Sequence, residues 1–167
     1  MKIKIERGVE VCVWVPCHIT CFFEIREHDN PLETGSRGAG FNLDVGVRTI
    51  VKLKRSSEIE VSGGNEVSRS VVEHILRALG VNARAEVEHD EPVPMGAGYG
   101  VSGATALGAA IATSIALGNA MTLLQAGAVA HVTEVEHVTG LGDVIAQIHG
   151  GVEVRVKEGA PGIGVVD

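Results

Sequence analysis

Aromatic side chains are scarce, with one Trp, one Tyr and three Phe in 167 residues. So few rings exclude a stacking platform for single-stranded nucleic acid. Basic residues are also outnumbered, 14 Lys and Arg against 21 Asp and Glu, for a net charge of -7. No nucleic-acid partner is expected from that balance. Cysteine is confined to Cys12, Cys17 and Cys21, an odd number clustered in one stretch, as in a reduced cytoplasmic chain rather than a disulfide framework. Their spacing matches no zinc pattern, and small buried apolar side chains are the expected role. From Pro92 to Thr133 there is no Asp, Glu, Lys or Arg. That stretch is rich in Ala, Gly, Ser and Thr and is interrupted by Gly118, Asn119 and Gln125, so it predicts two buried helices and no membrane span. The first seven residues alternate charged and apolar side chains and lack a signal peptide's apolar core.

What is present reads as one domain of 17.4 kDa. Residues 2–25 alternate as strands, with a break expected at Pro16, and the glycine-rich segment from Gly35 to Gly46 reads as a turn region. Further strand patterns run through Val47–Leu53, Ile59–Val61, Val81–Glu88 and Val152–Val156. Asn65 predicts a helix N-cap, Gly80 its end, and Val67, Val71, Val72, Ile75, Leu76 and Leu79 its apolar face. Helices are expected from Gly100 to Gly118, from Met121 to His137 and from Asp143 to His149. Strands and helices mix without regular βα repetition, which points to α+β, with helices packed on one face of a mixed or mostly antiparallel sheet.

The segment from Pro94 to Ala104 concentrates glycines at 96, 98, 100 and 103 ahead of a helix. Its backbone can approach a ligand closely, and the helix start offers unpaired N–H groups and partial positive charge to an anion. A dinucleotide-binding turn is excluded because prolines precede the glycines and no acid follows until Glu134. A Walker loop is excluded because no Lys is near. Gly100-Val101-Ser102-Gly103-Ala104 approximates a hydrolase nucleophile elbow, with Asp143 and His149 following in triad order, but Ala104 spoils the motif. The same small residues also serve tight helix packing.

Pro-x-x-x-Gly-x-Gly-x-Ser-x-Ala, read on Pro94 to Ala104, resembles the phosphate loop of the GHMP small-molecule kinases. Pro16-Cys17-His18-Ile19-Thr20 stands where that family has a Pro-Gly-Lys turn, and Thr139-Gly140-Leu141-Gly142-Asp143 looks like its Ser-Gly-x-Asp block. Pro-x-His-Ile-Thr, Gly35-Ser36 with the glycines after it, and Gly-Leu-Gly-Asp with the later Glu153-Val154-Arg155 are similar to the archaeal pantoate kinases of that superfamily. Cys17 and His18 depart from the family's Gly and Lys. The resemblance implies a GHMP kinase N-terminal domain (ribosomal protein S5 domain 2-like) over 1–167, the family's second domain being absent from the chain.

It further implies transfer of phosphate from ATP to the hydroxyl of pantoate in coenzyme A biosynthesis. Homoserine- or shikimate-type kinases and a non-catalytic nucleotide-binding fragment are the alternatives. Pro94, Gly96, Gly98, Gly100, Ser102, Gly103 and Ala104 would bind ATP, and Ser102 with Glu134 would hold Mg²⁺. Glu134 is preferred to Glu136 because residues two apart on a helix point about 200° from each other, and Glu134 shares a side with Ala130 and His131. Asp143 would be the base, with helix N-capping as its other reading. Ser36, His131, Arg155 and His18 would surround the hydroxy acid. Arg155 alternates with Val152, Val154 and Val156, so it shares a face with Glu153. The uncharged helix pair is expected to present apolar surface, through which the chain self-associates as a homodimer.

Overall fold

The computed structural model describes residues 8–167, so the expected strand at Ile3 and Ile5 lies outside it. Two long strands, β1 (Val9–Arg26) and β2 (Gly35–Arg55), pair antiparallel along their whole length. Val15 and Cys17 are buried on the inner face while Cys12 and Trp14 face out, as alternation requires. Cys21 is exposed too, so of the three cysteines only Cys17 has the buried role expected of them.

Pro16 does not end the strand. The register shifts between Pro16 and His18 and again between Thr20 and Phe22, and a bulge on an edge strand accommodates a residue with no N–H. The Gly35–Gly46 segment is likewise the first half of β2 rather than a turn region. Its glycines admit neighbouring groups. A Cβ on Gly40 would lie 2.4 Å from His18 Nε2.

The second half of β2 pairs with β4 (Ala83–Asp90), and β3 (Glu60–Gly63) joins β4 in parallel. The first half of β2 pairs with β5 (Val152–Lys157), and a short β6 (Val165–Val166), not anticipated from the sequence, extends that edge. The sheet is therefore mixed, in the order β3-β4-β2-β5-β6 with β1 also on β2.

Helix α1 (Glu66–Ala78) starts at a capping box in which Asn65 accepts from the Ser68 N–H. Its apolar stripe, Val67, Val71, Val72, Ile75 and Leu76, is buried as its spacing predicts. Helix α2 (Val101–Ala116) has no such stripe because both of its sides are covered, one by β1 and β2 and the other by α1 and α3. Small residues let it sit this close to the sheet. A Cβ on Gly108 would fall 2.5 Å from Thr49 Oγ1. Helix α3 (Leu123–Glu136), capped by Thr122, and α4 (Asp143–His149) complete the helical layer.

The expectation of apolar surface on the uncharged helix pair fails for α2, which is central to the core. Leu123 and Leu124 of α3 remain half exposed. The other exposed apolar side chains stand mainly on strands, among them Trp14, Phe22, Phe41 and Val152. Among the described residues no helix is long and apolar enough to cross a membrane.

Candidate active site

Four segments distant in sequence converge at the N-terminus of α2: the β1 bulge, the glycine loop, the α3–α4 connection and β5. The His18 N–H donates to the Tyr99 carbonyl, 2.9 Å, and Gln147 Nε2 donates to the Gly100 carbonyl, 2.8 Å. Both bonds fix the end of the glycine loop. Gly100 precedes α2 in the left-handed region, φ 60°, with no side-chain cap, so the first N–H groups of the helix have no side-chain acceptor of their own at Gly100. Pro94, Gly96 and Gly98 are exposed, and nothing stands within 4 Å of a Cβ built on either glycine. Gly103 and Ala104 are buried in the first turn.

Ser102 Oγ donates to Glu134 Oε1 at 2.5 Å, and Thr139 Oγ1 donates to the same oxygen at 3.0 Å. Glu134 is 1% exposed while Glu136 is exposed, as the helical spacing requires. Burial pushes the Glu134 carboxyl up to about 7; nearby Asp143 adds to the rise and the Ser102 and Thr139 hydroxyls oppose it. A carboxyl this deep, bonded to a serine hydroxyl beside an anion-ready helix start, has the oxygen donors that suit Mg²⁺. These contacts also dispose of the elbow reading. Ser102 is engaged by Glu134, and His149 is exposed at the far end of α4.

Asp143 is the first residue of α4, and Gly142 is the N-cap, so the capping reading of Asp143 is corrected. Its Oδ1 meets His18 Nδ1 at 2.8 Å, and His18 Nε2 meets Glu153 Oε1 at 3.1 Å. His18 is fully buried with both nitrogens committed to carboxylates. It therefore stands behind Asp143 and is not among the residues that line the pocket beside it. His131 is also buried, and its Nε2 donates to the Thr34 carbonyl at 2.8 Å, tying down the chain between β1 and β2. Burial holds it below the ordinary imidazole range. Its role here is to brace that wall.

A pocket of about 610 Å³ opens beside Asp143, lined by Phe23, Ile25, Ser36, Val138 and Leu141 among others. Strand β5 reverses the usual pattern. Val152, Val154 and Val156 face out, whereas Glu153 and Arg155, 0% and 2% exposed, face in. Arg155 Nη1 donates to Glu153 Oε1, while Nε and Nη2 have no partner. Those two atoms form one edge of the guanidinium, the pair that grips a carboxylate bidentately. Gly142, whose Cβ would come within 2.8 Å of Arg155 Nε and 2.5 Å of Ser36 Oγ, packs closely over that buried edge. The sequence assigned no role to Thr139, Gln147, Glu153 or the apolar lining Phe23 and Ile25. Thr139 entered only as the first residue of the Ser-Gly-x-Asp-like block, and Glu153 only as a residue sharing the face of Arg155.

The sequence pattern of the GHMP kinases N terminal domain matches residues 65–151. Pantoate kinase of Thermococcus kodakarensis is 41% identical over 164 residues, spanning 92% of this chain and 54% of that protein. Pantoate kinase of Methanocaldococcus jannaschii is 36% identical over 153 residues, spanning 89% and 54%. The chain thus covers about half the length of these curated relatives. A solved phosphotransferase related to the CoA biosynthesis pathway superposes with a TM-score of 0.85 at 39% identity, over 95% of this chain and 57% of that one. Homoserine kinase from Cytophaga hutchinsonii shares the fold, with a TM-score of 0.70 at 16% identity over 98% and 52%.

Proposed function

The chain belongs to the GHMP kinase family, and from that premise we propose that it carries the catalytic half of an ATP-dependent kinase acting on the hydroxyl of pantoate. The observation that supports this most is the unpartnered Nε–Nη2 edge of buried Arg155. It lies buried beside Ser36 and Gly142, which themselves line a pocket whose rim includes Asp143. A hydroxy acid needs those two ends, a cation for the carboxylate and an acceptor for the alcohol proton. The apolar wall of Phe23, Ile25, Val138 and Leu141 suits a branched carbon skeleton between them. The names of the curated relatives support pantoate in particular.

Phosphoryl transfer requires positioning and charge neutralisation more than covalent help. The backbone from Gly98 to Gly103 holds the ATP phosphates at the positive end of α2, with Pro94, Gly96 and Ala104 shaping the loop. Ser102 and Glu134 would hold Mg²⁺, which would supply neutralisation of phosphate charge. As the substrate oxygen bonds to the terminal phosphorus and the bond to ADP breaks, Asp143 accepts the alcohol proton, its Oδ1 kept in place by His18. In the loose transition state that proton leaves late, so an ordinary carboxylate serves if it is well placed.

A coupled ADP assay across pantoate, homoserine and shikimate tests the reading. ADP formation dependent on pantoate is expected, and Arg155→Ala should raise its KM far more than that of ATP. ADP release that ignores the acceptor would refute it.

A further inference from the structure

Strand β5 places a fully buried glutamate where an apolar residue would cost nothing, and an inward carboxylate is tolerated only with partners. Glu153 has two, both on the same oxygen. His18 Nε2 lies 3.1 Å from Oε1 and Arg155 Nη1 donates to it, while Oε2 has no partner. The other ring nitrogen of His18 reaches Asp143 Oδ1 at 2.8 Å. The result is one unbroken line, Asp143–His18–Glu153–Arg155, in which acid and base alternate. Room for the central link is reserved across the sheet. Gly40 is the register partner of Glu153, and a Cβ there would sit 2.4 Å from His18 Nε2 and 2.9 Å from Glu153 Oε1.

We propose that Glu153 is a positioning residue that couples the acceptor's carboxylate site to its proton-accepting site, an inference that rests on the kinase reading above. By occupying Nη1, Glu153 fixes Arg155 so that the buried Nε–Nη2 edge is the one without a partner inside the protein, the edge a carboxylate would take once admitted past Ser36 and Gly142. By holding Nε2, it sets the ring of His18 and hence the oxygen of Asp143 that remains for the alcohol. One carboxylate thereby fixes both ends of the hydroxy acid relative to each other. Loss of the Glu153 carboxylate therefore disturbs acceptor binding and turnover together, whereas Ser102 and Glu134 on the ATP side share no side-chain hydrogen bond with the line.

The test compares Glu153→Gln and Glu153→Asp with Val154→Thr, a change on the exposed face of the same strand, in steady-state assays of the chain. Glu153→Gln is expected to lower kcat about tenfold and raise the acceptor KM about tenfold while the ATP KM stays within about twofold. Glu153→Asp, which keeps the charge, should recover part of both losses, and Val154→Thr should match wild type. Acceptor parameters within about twofold of wild type in Glu153→Gln, or an ATP KM that moves as far as the acceptor's, would overturn the coupling. If the wild-type chain phosphorylates no hydroxy acid, the kinase reading fails separately, and the line is then judged from ¹⁵N resonances of the His18 ring. Glu153→Gln should shift Nδ1, the nitrogen facing Asp143, as well as Nε2. An unmoved Nδ1 would show that the line carries nothing past His18.

Discussion

Replacing Glu134 with Gln removes a charge that the fold buries at a cost. Its carboxyl is raised from 4.5 to about 7, with burial the largest cause. At about 1.4 kcal/mol per pH unit, that rise corresponds to about 3 kcal/mol between the protonated and charged forms. The side chain is 1% exposed, so solvent screening takes little away. Between pH 4.5 and 7 the folded chain holds a proton that the unfolded chain has released. The contribution of Glu134 to stability is therefore full below pH 4.5 and lost as pH rises through 7. Glu134→Gln has no proton to lose. Without Mg²⁺, its stability relative to wild type should improve by about 2–3 kcal/mol between pH 5 and pH 8. Urea unfolding at the two pH values, with a chelator present, measures this, and the difference between variants cancels every other titrating group. Added Mg²⁺ with nucleotide should stabilise wild type at pH 8 and leave the variant nearly unchanged. A stability difference that stays flat from pH 5 to pH 8 would refute the claim that Glu134 is a buried carboxyl held ready for a cation.

Asp143→Asn should lower turnover by about 10²- to 10⁴-fold with ATP affinity little changed, read from steady-state kinetics and nucleotide titration; survival within a few-fold would leave Asp143 no role as base. Gly108→Ala should destabilise the chain by about 1–3 kcal/mol, because the added methyl meets Thr49 Oγ1 at 2.5 Å in a filled interior, and an unchanged Tm would contradict that packing. Burial pushes His89 down to about 4, between Thr49 Oγ1 at 3.0 Å and Ser68 Oγ at 2.9 Å. Its contribution to stability is present above about pH 6.5 and lost as pH falls towards 4, so His89→Gln should flatten the acid limb of the urea midpoint against pH. An acid limb as steep in the variant as in wild type would assign that loss to other groups.

Local patterns in the chain were enough to determine α1 with its Asn65 cap, the buried character of α2, the glycine loop with the helix behind it, and the inward orientation of Glu134 rather than Glu136. Each depends on near neighbours alone: a capping side chain, a helical period, a run of small residues. Tertiary structure decided what local spacing left open. Gly35–Gly46 reads as a turn by composition, yet β1 and β5 on either side convert it to strand, because its glycines are needed where His18 and Glu153 press against the backbone. Val152 to Lys157 alternates perfectly and so cannot say which set faces inward; hydrophobicity alone would bury the valines. The polar set went inside because His18, from a strand 135 residues earlier than Glu153, was there to meet it. His18 and His131 look like ligands in a linear reading. The structure buries both and gives their nitrogens protein partners, which only the packing of distant segments could supply.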